Sequence, residues 1–326
     1  MIEQTESIPA RRFHEARRRQ HLLDVGDIND GDVARLFRRA AVLQTGGPTP
    51  PSLRGQVVAT LFFEPSTRTR ISFELSAQRL GALTMPVDVN RSSLEKSESL
   101  YDTLQTLAAM GVTMAVVRHR DSAVFAGLSD RAELCLLNAG NGIAAHPTQA
   151  LLDAYTLTQH LGSLRGRTVV ICGDIRHSRV ARSNLRLLPR LGARVILCGP
   201  PQLVPEIEQL TTDDAVSCEP FDAAIAKADV IMCLRVQRER HPQPAAEAGQ
   251  EPPQDSVAYL SSYGLTEERF ARARPSCVIL HPGPVNRDIE IAGALVEHPS
   301  SLILEQVRSG LYVRMAIMEW IAGVLP

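Results

Sequence analysis

A chain of 326 residues with 44% hydrophobic and 22% charged residues has an ordinary globular composition and can bury two separate cores. Its formal net charge of −1 gives no support to a general nucleic-acid or membrane-surface role. No apolar run nears the roughly 20 residues that span a bilayer, and the N-terminus lacks a signal peptide's apolar core, so a cytoplasmic protein is expected.

Residues 1–20 are polar and Arg-rich, with Arg17-Arg18-Arg19, and read as a loosely attached arm. Asp30 or Asp32 is the expected cap of a first helix running through Ala41. Strands and helices then alternate: strand 57–63, helix 69–80, strand 83–89, helix 98–110, strands 113–117 and 134–137. Asn138-Ala139-Gly140-Asn141-Gly142 reads as a loop, followed by His146-Pro147-Thr148-Gln149 and a helix from Ala150 to Leu161. Such alternation predicts a parallel sheet covered by helices, with ligands at the C-terminal strand ends.

A second unit starts near Leu164. Its strand ends in Cys172-Gly173-Asp174, a helix spans about Arg179 to Leu191, and strands follow at 194–198, 229–234 and 277–280. Pro242 to Ser256 reads as a long loop, and a last helix from about Leu302 to Val324 is expected to pack back on the first unit. The fold class is therefore α/β, with two doubly wound parallel-sheet domains joined by helices and a site between them. The expected division is arm 1–20, first domain 21–150 completed by helix 302–326, and second domain 151–301.

Phe62-Phe63-Glu64-Pro65-Ser66-Thr67-Arg68-Thr69-Arg70 joins a strand to a helix. Ser66, Thr67, Arg68 and Thr69 then fall at a helix N-terminus, where free N–H groups and the dipole favour an anion. A plain N-cap explains one hydroxyl there; four hydroxyl or guanidinium residues in a row point to phosphate. In the second unit, Gly173 stands without a G-x-G-x-x-G pattern, and the next strand ends in Leu197-Cys198-Gly199-Pro200 with no acidic residue, which argues against a dinucleotide. Arginines instead cluster at two strand ends, Arg176-His177-Ser178-Arg179 and Leu234-Arg235-Val236-Gln237-Arg238. These are either solvated surface charges or bidentate carboxylate clamps.

The six cysteines form no CxxC pair and mostly sit in apolar strand-like runs, as expected of buried free thiols; no zinc site is read. Only two lysines occur, Lys96 and Lys227. One of them, Lys96, lies in the polar loop Arg91 to Ser99, where an ammonium is not interchangeable with a guanidinium.

Several of these segments resemble the motifs of the carbamoyltransferase family, the aspartate and ornithine enzymes, in the same order from about Arg19 to Met318. The resemblance implies that Ser66, Thr67, Arg68, Thr69 and Arg118 bind carbamoyl phosphate. His146 would bond the carbamoyl oxygen and Gln149 the carbamoyl nitrogen. The Gly283 and Pro284 carbonyls, in the His281-Pro282-Gly283-Pro284 turn, would accept from the same NH₂ group. It implies that Arg179 and Arg235 hold the two carboxylates of L-aspartate, with Gln237 nearby. The Lys96 loop resembles a segment that reaches a neighbouring subunit, so Ser93 and Lys96 would act in trans within a homotrimer. Arg68, Thr69, Arg118 and His146 would be the catalytic group. Neither cofactor nor metal is implied; some members add regulatory or dihydroorotase-type chains, which the N-terminal arm would suit. Two positions depart from the family pattern: Ser97 where Gly is usual and Asn141 where Asp is frequent. An ornithine-using enzyme is the rival reading, but Pro282 follows His281 where those enzymes carry Cys. A non-catalytic scaffold and a nucleotide-dependent oxidoreductase are the more distant alternatives.

Overall fold

The computed structural model describes residues 20–47, 51–89, 98–237 and 256–325. The predicted arm apart from Gln20, the predicted loop from Pro242 apart from Ser256, and the candidates Ser93, Lys96 and Ser97 lie outside the described residues.

Helix α1 (Asp30–Gln44) is capped by Asn29, whose side chain accepts from the Asp32 N–H at 2.9 Å, rather than by Asp30 or Asp32. Asp32 instead accepts from the Asn29 amide and from Arg35. Strand β1 (Val57–Phe62), helix α2 (Thr67–Arg79), strand β2 (Leu83–Val87), helix α3 (Leu100–Ala109), strand β3 (Met114–His119) and strand β4 (Cys135–Asn141) follow. They build a parallel sheet in the order β2-β1-β3-β4. β4 extends through Asn138 to Asn141, a segment expected as a loop. The Asn138 side chain explains the difference, because it bonds the Leu23 carbonyl, the Gly140 N–H and the Asn141 amide and so holds the segment against β3 through a local irregularity, with Gly140 at φ +114°.

Helix α4 (Pro147–Leu161) connects to the second sheet and starts three residues before its predicted position. Proline suits the first helical position because its missing N–H has no partner to lose there. Strand β5 (Thr168–Cys172), helix α5 (Arg179–Leu187), strand β6 (Arg194–Cys198), strand β7 (Val216–Cys218), helix α6 (Phe221–Ile225) and strand β8 (Val230–Cys233) come next. Helices α7 (Ser256–Tyr263) and α8 (Glu267–Phe270), strand β9 (Val278–Leu280), and helices α9 (Gly293–Val296) and α10 (Ile303–Ile321) complete the order. The second sheet is also parallel, ordered β7-β6-β5-β8-β9. The edge strand β7, three residues long, carries too few residues to leave a period in the sequence. The predicted helix to Leu191 stops at Leu187, because Pro189 cannot supply the next helical N–H; a 3₁₀ turn finishes the segment.

Strand β5 is buried on both faces, as a central parallel strand must be when helices cover each side. Its apolar side chains each contribute about 1.5–3 kcal/mol of burial. Helix α10 packs on α1, α2 and α4. Within that contact the buried Arg39 guanidinium donates to Glu319 through two nitrogens, at 2.6 and 2.8 Å. Helix α5 and the 3₁₀ turn after it are tied to the segment 24–30 by Arg186 with Asp24 and by Arg190, which donates to Asp30 and to the Val25 and Ile28 carbonyls. Four of the six cysteines are buried, whereas Cys135 is half-buried and Cys218, on edge strand β7, is exposed; none is in a disulfide. Burial pushes the Cys277 thiol up to about 12 and those of Cys172, Cys198 and Cys233 higher, which makes them inert apolar filler. Among the described residues no helix is long and apolar enough to cross a membrane.

Candidate active site

Strand ends and helix starts of both sheets meet at a cleft of about 1060 Å³. β1 ends at Phe62, and Glu64 to Ser66 turn the chain into α2. Ser66 holds the N-cap position, yet its hydroxyl makes no cap bond, so the simple capping explanation of this serine fails. Thr67, Arg68 and Thr69 form the first turn and line the cleft with Ser66. The free N–H groups of that turn and the positive end of the helix dipole make an anion site.

Arg68 is partly desolvated, and burial lowers its pKa without removing its charge. Across the cleft it packs against Gly283, whose φ of +69° already disfavours side chains; a Cβ there would collide with both terminal nitrogens of Arg68. The His281 ring organises this second-sheet turn. Its Nδ1 accepts from the Gly283 N–H at 2.8 Å, and its Nε2 lies 2.9 Å from Glu290 Oε1.

β3 presents Arg118 near its end. Its Nε is 3.4 Å from Glu64 Oε2, and the same oxygen accepts from Arg179 Nη2 at 2.9 Å. Arg179 opens α5, is 4% exposed, and also donates to the Gly142 carbonyl. Its side chain lies over Gly140, at φ +114°, where a Cβ would come within 2.9 Å of the guanidinium Nε. A carboxylate from the first sheet therefore fixes an arginine of the second, and two of that arginine's five N–H donors are used.

His146 is the N-cap residue of α4; its backbone N–H donates to Ser183 Oγ of α5 at 2.9 Å. One turn on, Gln149 lines the cleft while its Nε2 donates to Asp153 Oδ1 at 2.8 Å. Beyond β8, Arg235 and Gln237 line the cleft. The Gln237 N–H donates to Asp174 Oδ2 and its amide to the His177 carbonyl.

The cleft thus gathers Ser66, Thr67, Arg68, Thr69, Arg118, His146, Gln149, Arg179, Arg235, Gln237, Gly283 and Pro284. Ser93 and Lys96 lie outside the described residues. Glu64 and Arg120 also line it and were not singled out from the sequence. Glu64 had a local signal, being a lone acid at the strand end just before the phosphate turn. Among the described lining residues five arginines face this one carboxylate, so the cleft favours ligands with several negative charges. No cluster of three or more His, Cys, Asp or Glu among the described residues is arranged to hold a metal ion.

Two parallel α/β sheets with an anion-binding helix start on one and arginine-bearing strand ends on the other define a two-domain enzyme for anionic substrates. The model of the aspartate/ornithine carbamoyltransferase carbamoyl-P binding domain matches residues 20–159, and that of the Asp/Orn binding domain matches 165–321. The chain belongs to the aspartate/ornithine carbamoyltransferase family, transferases of carbamoyl groups. It is 46% identical over 312 residues to the aspartate carbamoyltransferase catalytic subunit of Maricaulis maris, covering 93% of this chain and 94% of the relative. It is 45% identical over 303 residues to that of Thermus aquaticus, covering 92% and 97%. Among solved structures, aspartate transcarbamoylase from Trypanosoma cruzi in complex with N-(phosphonacetyl)-L-aspartic acid superposes with a TM-score of 0.80 at 29% identity, covering 92% of this chain and 95% of that one. The same protein in complex with carbamoyl phosphate and aspartate gives a TM-score of 0.77 at 28% identity, covering 92% and 96%.

Proposed function

We propose that this chain is an aspartate carbamoyltransferase, which moves the carbamoyl group of carbamoyl phosphate to the α-amino group of L-aspartate and releases N-carbamoyl-L-aspartate and phosphate. The observation that carries this reading is the pairing, across one cleft, of a phosphate-type helix start with Arg179 and Arg235. Residues 21–150 with the C-terminal helix 302–326 form the carbamoyl-phosphate half in this reading, and 151–301 the aspartate half.

No covalent enzyme intermediate is needed. The amine attacks the carbamoyl carbon directly, the C–O bond to phosphate breaks, and the departing phosphate takes the proton. Arg68, Thr69, Arg118 and His146 face the developing negative charge, and Ser66 and Thr67 help to hold the phosphate. Gln149 and the carbonyls of Gly283 and Pro284 take the carbamoyl NH₂. Catalysis then comes from bringing two anions together and from fixed donors aimed at the oxyanion. The surrounding cations also disfavour the ammonium form of the attacking amine. Arg179, Arg235 and Gln237 bind the dicarboxylate. Ser93 and Lys96 come from a neighbouring subunit of a homotrimer, and the reaction serves pyrimidine synthesis in the cytoplasm; a regulatory or dihydroorotase-type chain is a candidate partner of the N-terminal arm.

The test is phosphate release from carbamoyl phosphate with L-aspartate or L-ornithine as acceptor. Turnover with aspartate alone is expected. Turnover with ornithine alone would sink the assignment, because a described lining of five arginines and one carboxylate favours a dicarboxylate over a second ammonium.

A further inference from the structure

Asp153 lies on α4, fully buried, one helical turn beyond Gln149 and on the same face. Its two oxygens take three amide donors from three helices. Oδ1 accepts from Gln149 Nε2 at 2.8 Å on α4 and from Gln306 Nε2 at 2.7 Å on α10; Oδ2 accepts from Asn184 Nδ2 at 3.0 Å on α5. Gln306 in turn accepts, through Oε1, the backbone N–H of His281 at 2.9 Å, where the turn to Gly283 begins. Arg314 of α10 supplies the charge that faces Asp153. Its guanidinium donates to Ser72 Oγ and lies 4.9 Å from the Phe73 ring centroid, both on α2, the helix that starts with the phosphate turn.

We infer that Asp153 is a positioning residue that sets which end of the Gln149 amide faces the cleft and ties that amide to the Gly283–Pro284 turn. An ionised carboxylate only accepts hydrogen bonds. By taking the Gln149 NH₂ group it leaves Gln149 Oε1 as the cleft-facing atom, an acceptor suited to a donor on the ligand. Through Gln306 the same carboxylate registers the turn whose carbonyls are acceptors too. A ligand carrying –C(=O)NH₂ beside its phosphate is therefore selected over one carrying –C(=O)CH₃. This rests on the carbamoyl-phosphate reading of the cleft and adds to it the residue that sets the carbamoyl specificity.

The conservative change Asp153→Asn keeps the shape but adds a donor where three donors already point, so at least one bond is lost and the Gln149 amide is free to turn over. The probes are two phosphonates that do not hydrolyse, phosphonoacetamide and acetonylphosphonate, identical except for NH₂ against CH₃. Wild-type protein is expected to prefer the amide. Asp153→Asn is expected to weaken phosphonoacetamide binding about tenfold and to leave acetonylphosphonate within about twofold. A general loosening of the helices would weaken both equally, and that result overturns the inference, as does a preference that survives the substitution. No wild-type binding of either phosphonate would overturn the carbamoyl-phosphate reading along with it. If Asp153→Asn does not fold, Gln306→Ala tests the link to the Gly283–Pro284 turn by itself, since it cuts the bond to His281 and leaves the Asp153–Gln149 bond in place. Selective loss of the amide probe supports that link, and equal change or none overturns it.

Discussion

Glu64 Oε2 accepts a hydrogen bond from Arg179 Nη2 at 2.9 Å, and so joins the strand end that leads into the phosphate turn to the first residue of α5 in the other sheet. The same oxygen lies 3.4 Å from Arg118 Nε. One carboxylate thereby orients two arginines from different sheets, and holds the two walls of the cleft in register. Charge-assisted bonds of this kind are among the stronger ones, because each partner is only partly solvated.

Glu64→Gln should keep the fold and loosen that register. The neutral amide still reaches Arg179 but no longer offsets either guanidinium. The expected result is a rise of roughly tenfold in the KM for L-aspartate, with a smaller change in the KM for carbamoyl phosphate. Steady-state kinetics at fixed pH decide it. Equal rises for both substrates would show that Glu64 supports the cleft as a whole.

Arg68→Ala removes the guanidinium that reaches from the first turn of α2 to Gly283. Loss of one preorganised donor typically lowers the rate about 10²–10³-fold. The same residue pair can be tested from the other side. Gly283→Ala needs a backbone at φ +69° and a Cβ inside the Arg68 guanidinium, so it should displace Arg68 and lower kcat in the same direction. A fully active Gly283→Ala protein would mean that the turn can move away without harm.

The helix start that lines the cleft was legible because its residues are continuous in sequence: Ser66, Thr67, Arg68 and Thr69 are adjacent, and a strand and a helix flank them. Arg179 and Arg235 were legible for a related reason, since each follows an apolar strand whose end must face the ligand side of a parallel sheet. Asp153 left no such trace. Its partners Asn184 and Gln306 are 31 and 153 residues away, and a lone Asp on a helix reads as a solvated residue until those amides are seen. The lengthening of β4 was hidden likewise, because Asn and Gly signal turns, while the bonds of Asn138 to Leu23, Gly140 and Asn141 keep the segment in the strand through a local irregularity.

Arg179→Ala and Arg235→Ala separate the two substrates. Each should raise the KM for L-aspartate by one to two orders of magnitude, since a charged hydrogen bond contributes roughly 1.5–3 kcal/mol. Carbamoyl phosphate protection against thermal unfolding should persist in both, because the phosphate turn is untouched. Loss of that protection would place the arginine on the phosphate instead.

Arg39 and Glu319 test stability away from the cleft. Both side chains are buried, with Ser52 Oγ also donating to Glu319 at 2.8 Å. Glu319→Gln removes the carboxylate charge that receives two Arg39 nitrogens and should cost about 3–5 kcal/mol in urea unfolding. Replacing both residues together by Met and Leu should cost much less, since neither charge of the pair is then left buried without the other. Equal losses for the single and the double variant would show that packing volume, not charge, sets the cost.

Asp153 has a pH signature that its neighbours do not share. Burial raises its pKa from 3.8 to about 6, against the opposing bonds from Asn184, Gln306 and Gln149 and the field of Arg314. Asn184 on α5 and Gln149 on α4 are uncharged, and Arg314, lowered to about 10 by burial, stays protonated throughout the window considered. Between pH 3.8 and about 6 the folded chain keeps a proton that the unfolded chain has released, so stability falls as pH rises through that window and is level above it. The full drop is about 3 kcal/mol. Asp153→Asn lacks it, so the difference in unfolding free energy between the two proteins should slope from pH 4 to 6 and flatten beyond; parallel curves would show that Asp153 does not titrate there. Above pH 6 the wild-type chain holds an ionised carboxylate that weakens its own fold. A site that needs a pure acceptor behind Gln149 gives a reason for tolerating that cost, and the activity of wild type should accordingly fall below pH 6 by more than that of Asp153→Asn.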